Sequence, residues 1–312
     1  MRVAVVGAGG FVGLRLVERL QADGHSVLPI VRTPRGLAGE QPVADIGTAD
    51  WPQLLAGVDV VVHLAARVHM MDDRSADPLA EFRKVNTIGT MAVAHAAARA
   101  GVKRFVFISS IKVNGEATPH GAPFKADDSP QPSDPYGVSK AEAETALFDL
   151  AATVPMEVTV IRPPLVYGPG VGGNFALMIK WLRRGVPLPL GGISGNRRSL
   201  VGIDNLVDLI TVALTHPGAA NDIFLVSDGC DVSTRTLLTK LASALGKQAR
   251  LLPIPQAVIL GLARAARKEA AATRLIGNLQ VDIEKTRQLL NWSPPVSMDE
   301  ALKRTVAALP KV

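Results

Sequence analysis

Short, almost wholly apolar runs alternate with longer segments of helical period through the first half of the chain. Arg2–Val6 reads as a strand and Phe11–Ala22 as a helix, followed by a strand at Ser26–Val31 and a Val-rich strand at Val58–Leu64. A long Ala-rich helix is expected over Pro78–Ala100, a strand over Arg104–Ser109, a helix over Pro135–Thr153 and a strand over Val158–Arg162. Strands that are apolar at consecutive positions are buried on both faces, and their alternation with helices predicts an α/β fold with a parallel sheet covered on each side. After Arg162 the period breaks. Gly and Pro punctuate Pro163–Gly173 and Gly185–Gly195, and regular pieces return at Asp204–Leu214, Ile223–Val226, Ser233–Leu245 and Asp299–Ala308. There is no internal repeat, low-complexity tract or long polar linker.

Composition narrows the class. Of 312 residues, 47% are apolar and 20% charged, as in a globular chain. The formal charge of +6 suits anionic ligands, yet Lys and Arg are spread along the chain and account equally well for a solvated surface. With aromatics at 4% and no basic block interleaved with them, nucleic-acid binding is not expected. The single cysteine, Cys230, allows no internal disulfide and suits a reducing compartment, so a cytoplasmic protein is expected. Met1–Val6 runs straight into a strand and a glycine turn, and a signal peptide is not expected there. The longest apolar stretch, Leu251–Ala263, is interrupted by Pro253 and Pro255 and runs into Arg264 and Arg267. It is too short for a membrane span and is expected to form a buried or partly buried helix.

Candidate chemistry begins at the first strand–helix turn, Gly7-Ala8-Gly9-Gly10-Phe11-Val12-Gly13. Gly7, Gly10 and Gly13 allow a tight turn and let backbone amides at a helix N-terminus approach a pyrophosphate. In an N-terminal βα unit this spacing marks a dinucleotide site. The second strand ends at Val31-Arg32 without an acidic residue to bind the ribose hydroxyls of NAD. Arg32, with Arg35, therefore favours NADP(H) over NAD(H), the alternative being a solvated arginine pair. Asp45 and Ile46 follow a short strand and are candidates to flank the adenine.

Tyr136 and Lys140 lie four apart on a predicted helix, hence on one face. An ammonium beside a phenol favours phenolate, so Lys140 is expected to bring Tyr136 toward neutral pH as a general acid or base. Ser109 and Ser110 end a predicted strand at its carboxyl edge, where ligands of parallel sheets bind. Singly, Tyr136 reads as a surface aromatic and Lys140 as a solvated lysine; the glycine loop and Ser110 together favour catalysis. Six scattered histidines without His-x-x-x-His or Cys-x-x-Cys spacing give no metal site, and Ser109 and Ser110 lack a Gly-x-Ser-x-Gly elbow.

These residues, with His63-Leu64-Ala65-Ala66, Asn86 and Arg162-Pro163-Pro164-Leu165-Val166-Tyr167-Gly168-Pro169, resemble the extended short-chain dehydrogenases/reductases of the nucleotide-sugar epimerase/dehydratase group. The resemblance covers essentially the whole chain. Ile108–Gly115 and Ala65–His69 are similar to reductases that form UDP-N-acetylquinovosamine from its 4-keto precursor. The resemblance implies a Rossmann-type doubly wound domain at 1–166, with 199–228 returning to it, and a smaller substrate lobe from 167–198 and 229–312. Tyr136 would exchange the proton at sugar O4, Lys140 would hold the nicotinamide ribose, and Ser110 would orient the same oxygen. Leu64, Ala65, Ala66 and Asn86 would border the dinucleotide.

Arg198 would meet the nucleotide diphosphate, with Arg197 its rival; Lys112, Asn114, Asn174 and Arg274 are further candidates on the substrate side. Leu165 stands where many relatives carry an asparagine against the diphosphate, and it cannot make that hydrogen bond. The expected activity is reduction of a UDP-4-keto-6-deoxy-N-acetylhexosamine, with a UDP-hexose 4-epimerase holding NAD tightly as the rival and a non-catalytic dinucleotide sensor as a remote third. A homodimer packed through the two Ala-rich helices is expected by the same resemblance.

Overall fold

β1 (Arg2–Val6) is buried from Val3 onward, and its side chains alternate between two cores. Val3 and Val5 join one apolar cluster, while Ala4 and Val6 join another on the opposite face of the sheet. That two-sided burial is why the strand shows no polar alternation. The structure, a computed structural model, describes residues 1–68, 77–266 and 269–309. His69 lies outside them.

The main sheet comprises β1, β2 (Ser26–Val31), β3 (Gln41–Pro42), β4 (Val60–His63), β5 (Arg104–Ile108), β6 (Glu157–Arg162) and β9 (Asp222–Leu225). They are ordered β3-β2-β1-β4-β5-β6-β9, and every pairing is parallel. A second, two-stranded sheet pairs β7 (Leu165–Tyr167) with β8 (Leu200–Gly202). The strand order reverses between β1 and β4, which opens a crevice at their carboxyl ends. This is the Rossmann-type, doubly wound α/β architecture that the sequence pattern predicts.

α1 (Phe11–Ala22) covers one face of the sheet beside α7 (Ile203–Ala213). α2 (Trp51–Leu54), α4 (Thr90–Arg99) and α5 (Pro135–Ala151) cover the other. A third core lies beyond the sheet edge, in a C-terminal lobe built on α6 (Gly173–Arg183), α8 (Thr234–Ala244) and α12 (Met298–Ala307). Tyr167 ties this lobe together: its hydroxyl donates to Asp228 Oδ2 at 2.6 Å and its ring stacks on Phe175. Residues 279–292, including α11 (Glu284–Leu290), pack instead with the α1/α7 core through Leu279, Val281, Leu290 and Trp292.

Two elements depart from expectation. The Pro78–Ala100 helix is divided into α3 (Pro78–Arg83), a π-helical turn at Lys84–Gly89, and α4. Within that wide turn the Asn86 side chain reaches Arg67 and Ser139, and Thr87 Oγ1 donates to Ser139 O at 2.9 Å. Such bulges re-aim side chains at functional sites. The second is Leu251–Ala263. Leu251 bridges to Leu188, and α9 (Gln256–Ala265) begins only after Pro255. No residue of α9 is fully buried, so of the two expected states only the partly buried one holds. Ile259 packs partly against the third core and α10 (Glu269–Ile276) lies alongside, leaving the outer side of α9 in solvent.

Candidate active site

Four strand ends converge at the crevice: Gly7 after β1, Leu64 after β4, Ser109 and Ser110 after β5, and Arg162 closing β6. Gly7 has φ +91°, and a Cβ there would stand 2.7 Å from Ala65 N. A Cβ on Gly13 would stand 2.3 Å from Gly7 O. The loop is thus pressed against backbone on two sides, which only glycine permits. A groove of about 440 Å³ runs from it, lined by Gly7, Gly10, Leu64, Ala65, Ala66, Arg32, Arg35, Asp45 and Ile46. The side chains of Phe11 and Val12 pack partly on the core.

Asp45 Oδ1 accepts from Gly47 N at 2.8 Å, fixing the turn at the groove's far end. Glu40 accepts the amides of Arg35, Gly36 and Leu37, which orders the loop carrying Arg35 beside Arg32. Glu81 and Lys84 also line this groove and have no sequence signal beyond their place on α3 and the π-turn. Gly13→Ala is expected to weaken NAD(H) or NADP(H) binding at least about tenfold, because the added methyl meets backbone and not a movable side chain. Calorimetric titration reads the change, and an unaltered affinity would remove the glycine loop from the site.

Tyr136 stands in the first turn of α5, where Asp134 Oδ1 accepts from Gly137 N at 2.7 Å and Pro135 opens the helix. Its ring meets Phe82 of α3 edge-on, with centroids 6.0 Å apart. The Arg67 guanidinium lies over the other part of this arrangement, 5.6 Å from the Phe82 centroid. The Ser110 hydroxyl lies near enough to the Tyr136 phenol to lower its pKa, and Ser110 sits where β5 passes into a 3₁₀ turn at Ile111–Val113. The sequence therefore identifies two groups that the fold does bring together.

The electrostatics differ from the expectation. Burial pushes the Tyr136 phenol up to about 12; the Ser110 hydroxyl lowers it and the Asp134 charge raises it. Lys140 is buried, donates to Ile108 O at 2.8 Å and lies 4.2 Å from the Phe107 centroid. Desolvation pulls its own pKa down to about 7, with Glu144 opposing the shift. Lys140 is not among the groups that shift the Tyr136 phenol. Lys140 instead ties α5 to the carboxyl end of β5, where Ser110 begins its turn.

Below Lys140 lies a buried network that the sequence reading did not find. Arg162 Nη2 and Nε donate to Glu144, the latter at 3.0 Å to Oε1. Ser109 Oγ also donates to Glu144, and Arg162 Nη1 donates to Asn114 Oδ1 at 3.0 Å. Ser109, Asn114, Glu144 and Arg162 are all buried. One signal was available: Tyr136, Lys140 and Glu144 follow at four-residue steps on one helix face.

Other candidates find different employment. Asn86 is fully buried; its Oδ1 accepts from Arg67 N at 2.8 Å, and its Nδ2 donates to Arg67 O and Ser139 Oγ. It positions the loop after β4, which carries Ala65 and Ala66 along the groove. Lys112 forms ion pairs with Asp134 and with Glu116, the latter at 3.4 Å, and so braces the cap of α5. These two carboxylates engage the ammonium that the sequence offered to the substrate. Asn114 is spent on Lys125 O and Arg162.

Arg198 lies on a strand-like seam, bridged to Val232 and Leu279, and its Nη1 donates to Gly277 O at 3.3 Å. Burial lowers its pKa. Arg197 is the exposed member of the pair. Asn174 is exposed in the first turn of α6. Arg274 falls in α10, and its side chain lies outside the described residues. Leu165 is exposed on β7.

The profile of the NAD dependent epimerase/dehydratase family matches residues 3–227. UDP-glucose 4-epimerase of Vibrio cholerae is 47% identical, covering 98% of this chain and 94% of the relative. An N-acetyl-α-D-glucosaminyl-diphospho-ditrans,octacis-undecaprenol 4-epimerase of Escherichia coli O157:H7 is 31% identical over 81% of this chain and 75% of its own. Among solved structures, a complex of Thermus thermophilus UDP-glucose 4-epimerase with NAD aligns with TM-score 0.78 at 23% identity, covering 99% of this chain and 98% of the other. The glycine-lined crevice, the Tyr136–Ser110 pair and these matches place the chain in the NAD dependent epimerase/dehydratase family, among the extended short-chain dehydrogenases/reductases.

Proposed function

We propose that this protein interconverts the C4 epimers of a UDP-hexose. The observation that carries the reading is the Tyr136 phenol at the start of α5 standing within reach of the Ser110 hydroxyl at the carboxyl end of β5. The 47% identity along nearly the whole chain to a UDP-glucose 4-epimerase supports epimerisation over the net reduction favoured by the sequence alone. The glycine loop, Ala65 and Ala66 would hold a nicotinamide dinucleotide, and the cradle fits one because a side chain at Gly7 or Gly13 would fill it. When bound, that group supplies a hydride acceptor and a cationic ring.

The chain's own part is proton handling and positioning. Ser110 directs the sugar O4 toward the phenol. Tyr136 takes the O4 proton as C4 is oxidised to the 4-keto sugar, and returns it once the ketone has presented its other face. A phenol held near 12 is a proton donor at neutral pH, which serves the reductive half; the oxidative half needs positive charge beside it. Arg198, half-buried on the lobe, is the candidate partner of the diphosphate. We keep a homodimer through α4 and α5 within this proposal.

The second reading is the UDP-4-keto-6-deoxy-N-acetylhexosamine reductase, favoured by the sequence of Ile108–Gly115 with Ala65–His69. Arg32 and Arg35 side by side at the groove suit the 2′-phosphate of NADP(H), which a reductase draws from solution. Purified protein given UDP-glucose or UDP-N-acetylglucosamine without added cofactor is expected to yield the C4 epimer by NMR. Mass spectrometry of the released dinucleotide is expected to find NAD. Stoichiometric loss of the nicotinamide absorbance with a 4-keto sugar and NADPH, without epimer formation, would replace the first reading by the second.

A further inference from the structure

The outer side of α9 and the segment leading to it form an apolar face that no element covers among the described residues. Leu262 is 67% exposed, Val258 49% and Leu252 48%. The exposed Val186 adjoins the same edge, because Leu188 N donates to Arg250 O and Leu252 N returns to Leu188 O, each at 2.8 Å. Charge gives this face its character. Residues 171–203 and 232–268 hold twelve Lys and Arg and no Asp or Glu, although the whole chain carries only +6. The rest of the chain is therefore acidic on balance. Arg184, Lys247, Arg250 and Arg264 are exposed cations of this lobe.

Arg264 pairs with Glu269 and Lys240 with Asp299, both at exposed positions where such pairs are worth at most about 1 kcal/mol. Arg197 and Arg198 belong to the site already described. A helix that is apolar on its open side, holds no acidic residue of its own and is flanked by cations matches a surface that is anionic at its rim and apolar beneath. A second copy of this chain matches poorly, because a self-facing contact sets the same cations against one another. No helix among the described residues is long and apolar enough to cross a membrane, so α9 would lie along the surface.

We propose that the C-terminal lobe docks peripherally on an anionic phospholipid bilayer, inserting Leu252, Val258 and Leu262 while Arg184, Lys247, Arg250 and Arg264 meet the headgroups. This docking is independent of which C4 reaction the site performs. The test is flotation of the full chain with vesicles of phosphatidylcholine, with and without phosphatidylglycerol. Retention is expected to be at least about tenfold greater on the anionic vesicles and to fall in about 0.5 M NaCl. The double variants Val258→Ser/Leu262→Ser and Arg250→Glu/Arg264→Glu are each expected to lose retention about tenfold, with thermal midpoints unchanged because all four side chains are exposed. Absence of flotation overturns the proposal, as does retention that survives the apolar double variant. A concentration-dependent oligomer dissolved by Leu262→Ser would also overturn it, by assigning the face to a second copy.

Discussion

Tyr136→Phe is expected to lower turnover by about 10²–10⁴-fold while leaving dinucleotide and UDP-sugar affinity within about twofold. The substitution removes one hydroxyl and keeps the ring in its edge-on contact with Phe82, so packing is conserved. What disappears is the proton carrier whose pKa the neighbouring Ser110 lowers. A loss confined to the chemical step identifies a group acting on the reacting atoms, whereas a loss in affinity alone would mark a binding residue. Single-turnover kinetics with the epimer pair separate the two. Turnover within about threefold of the parent would remove Tyr136 from the reaction.

Glu144→Ala is expected to cost about 3–5 kcal/mol, a fall in thermal midpoint on the order of 10 °C. Removal of this carboxylate strands the Arg162 guanidinium in the interior and leaves Ser109 without its acceptor. The pair's net worth against an apolar replacement is a separate quantity, since bringing two ions out of water offsets much of their attraction. Glu144→Leu with Arg162→Met is accordingly expected to recover most of the loss, though not all, because Asn114 Oδ1 then loses its donor. Glu144 also opposes the downward shift of Lys140, so its removal depresses that lysine further below about 7. If Glu144→Ala unfolds within about 1 kcal/mol of the parent, the network is not the anchor described here.

The network explains how the site keeps its shape. Glu144 lies one turn beyond Lys140 on α5, and Arg162 closes β6 beside the end of β5. Together with the Lys140–Ile108 hydrogen bond, they fix the helix bearing Tyr136 against the strand that delivers Ser110. Lys112 performs a related task outside, bracing Asp134 at the cap of the same helix. The approach of phenol and serine thus rests on two attachments of α5 to the carboxyl edge of β5.

By itself the sequence determined the strand and helix order, the parallel sheet, the glycine loop and the shared helix face of Tyr136 and Lys140. Each of these follows from local period or from short spacing: apolar runs for strands buried twice over, a three-residue glycine step, a four-residue helical step. Tertiary structure alone decided whatever depends on neighbours distant along the chain. Glu144, Ser109, Arg162 and Asn114 are separated by 18 to 48 positions where they touch, and nothing local announces the contact. Lys140 and Tyr136 owe their pKa directions to desolvation, which a helical spacing does not encode. α9 shows the same limit from the other side: its apolar residues would look identical in a core, and only the absence of a covering element, among the described residues, turns them into a surface.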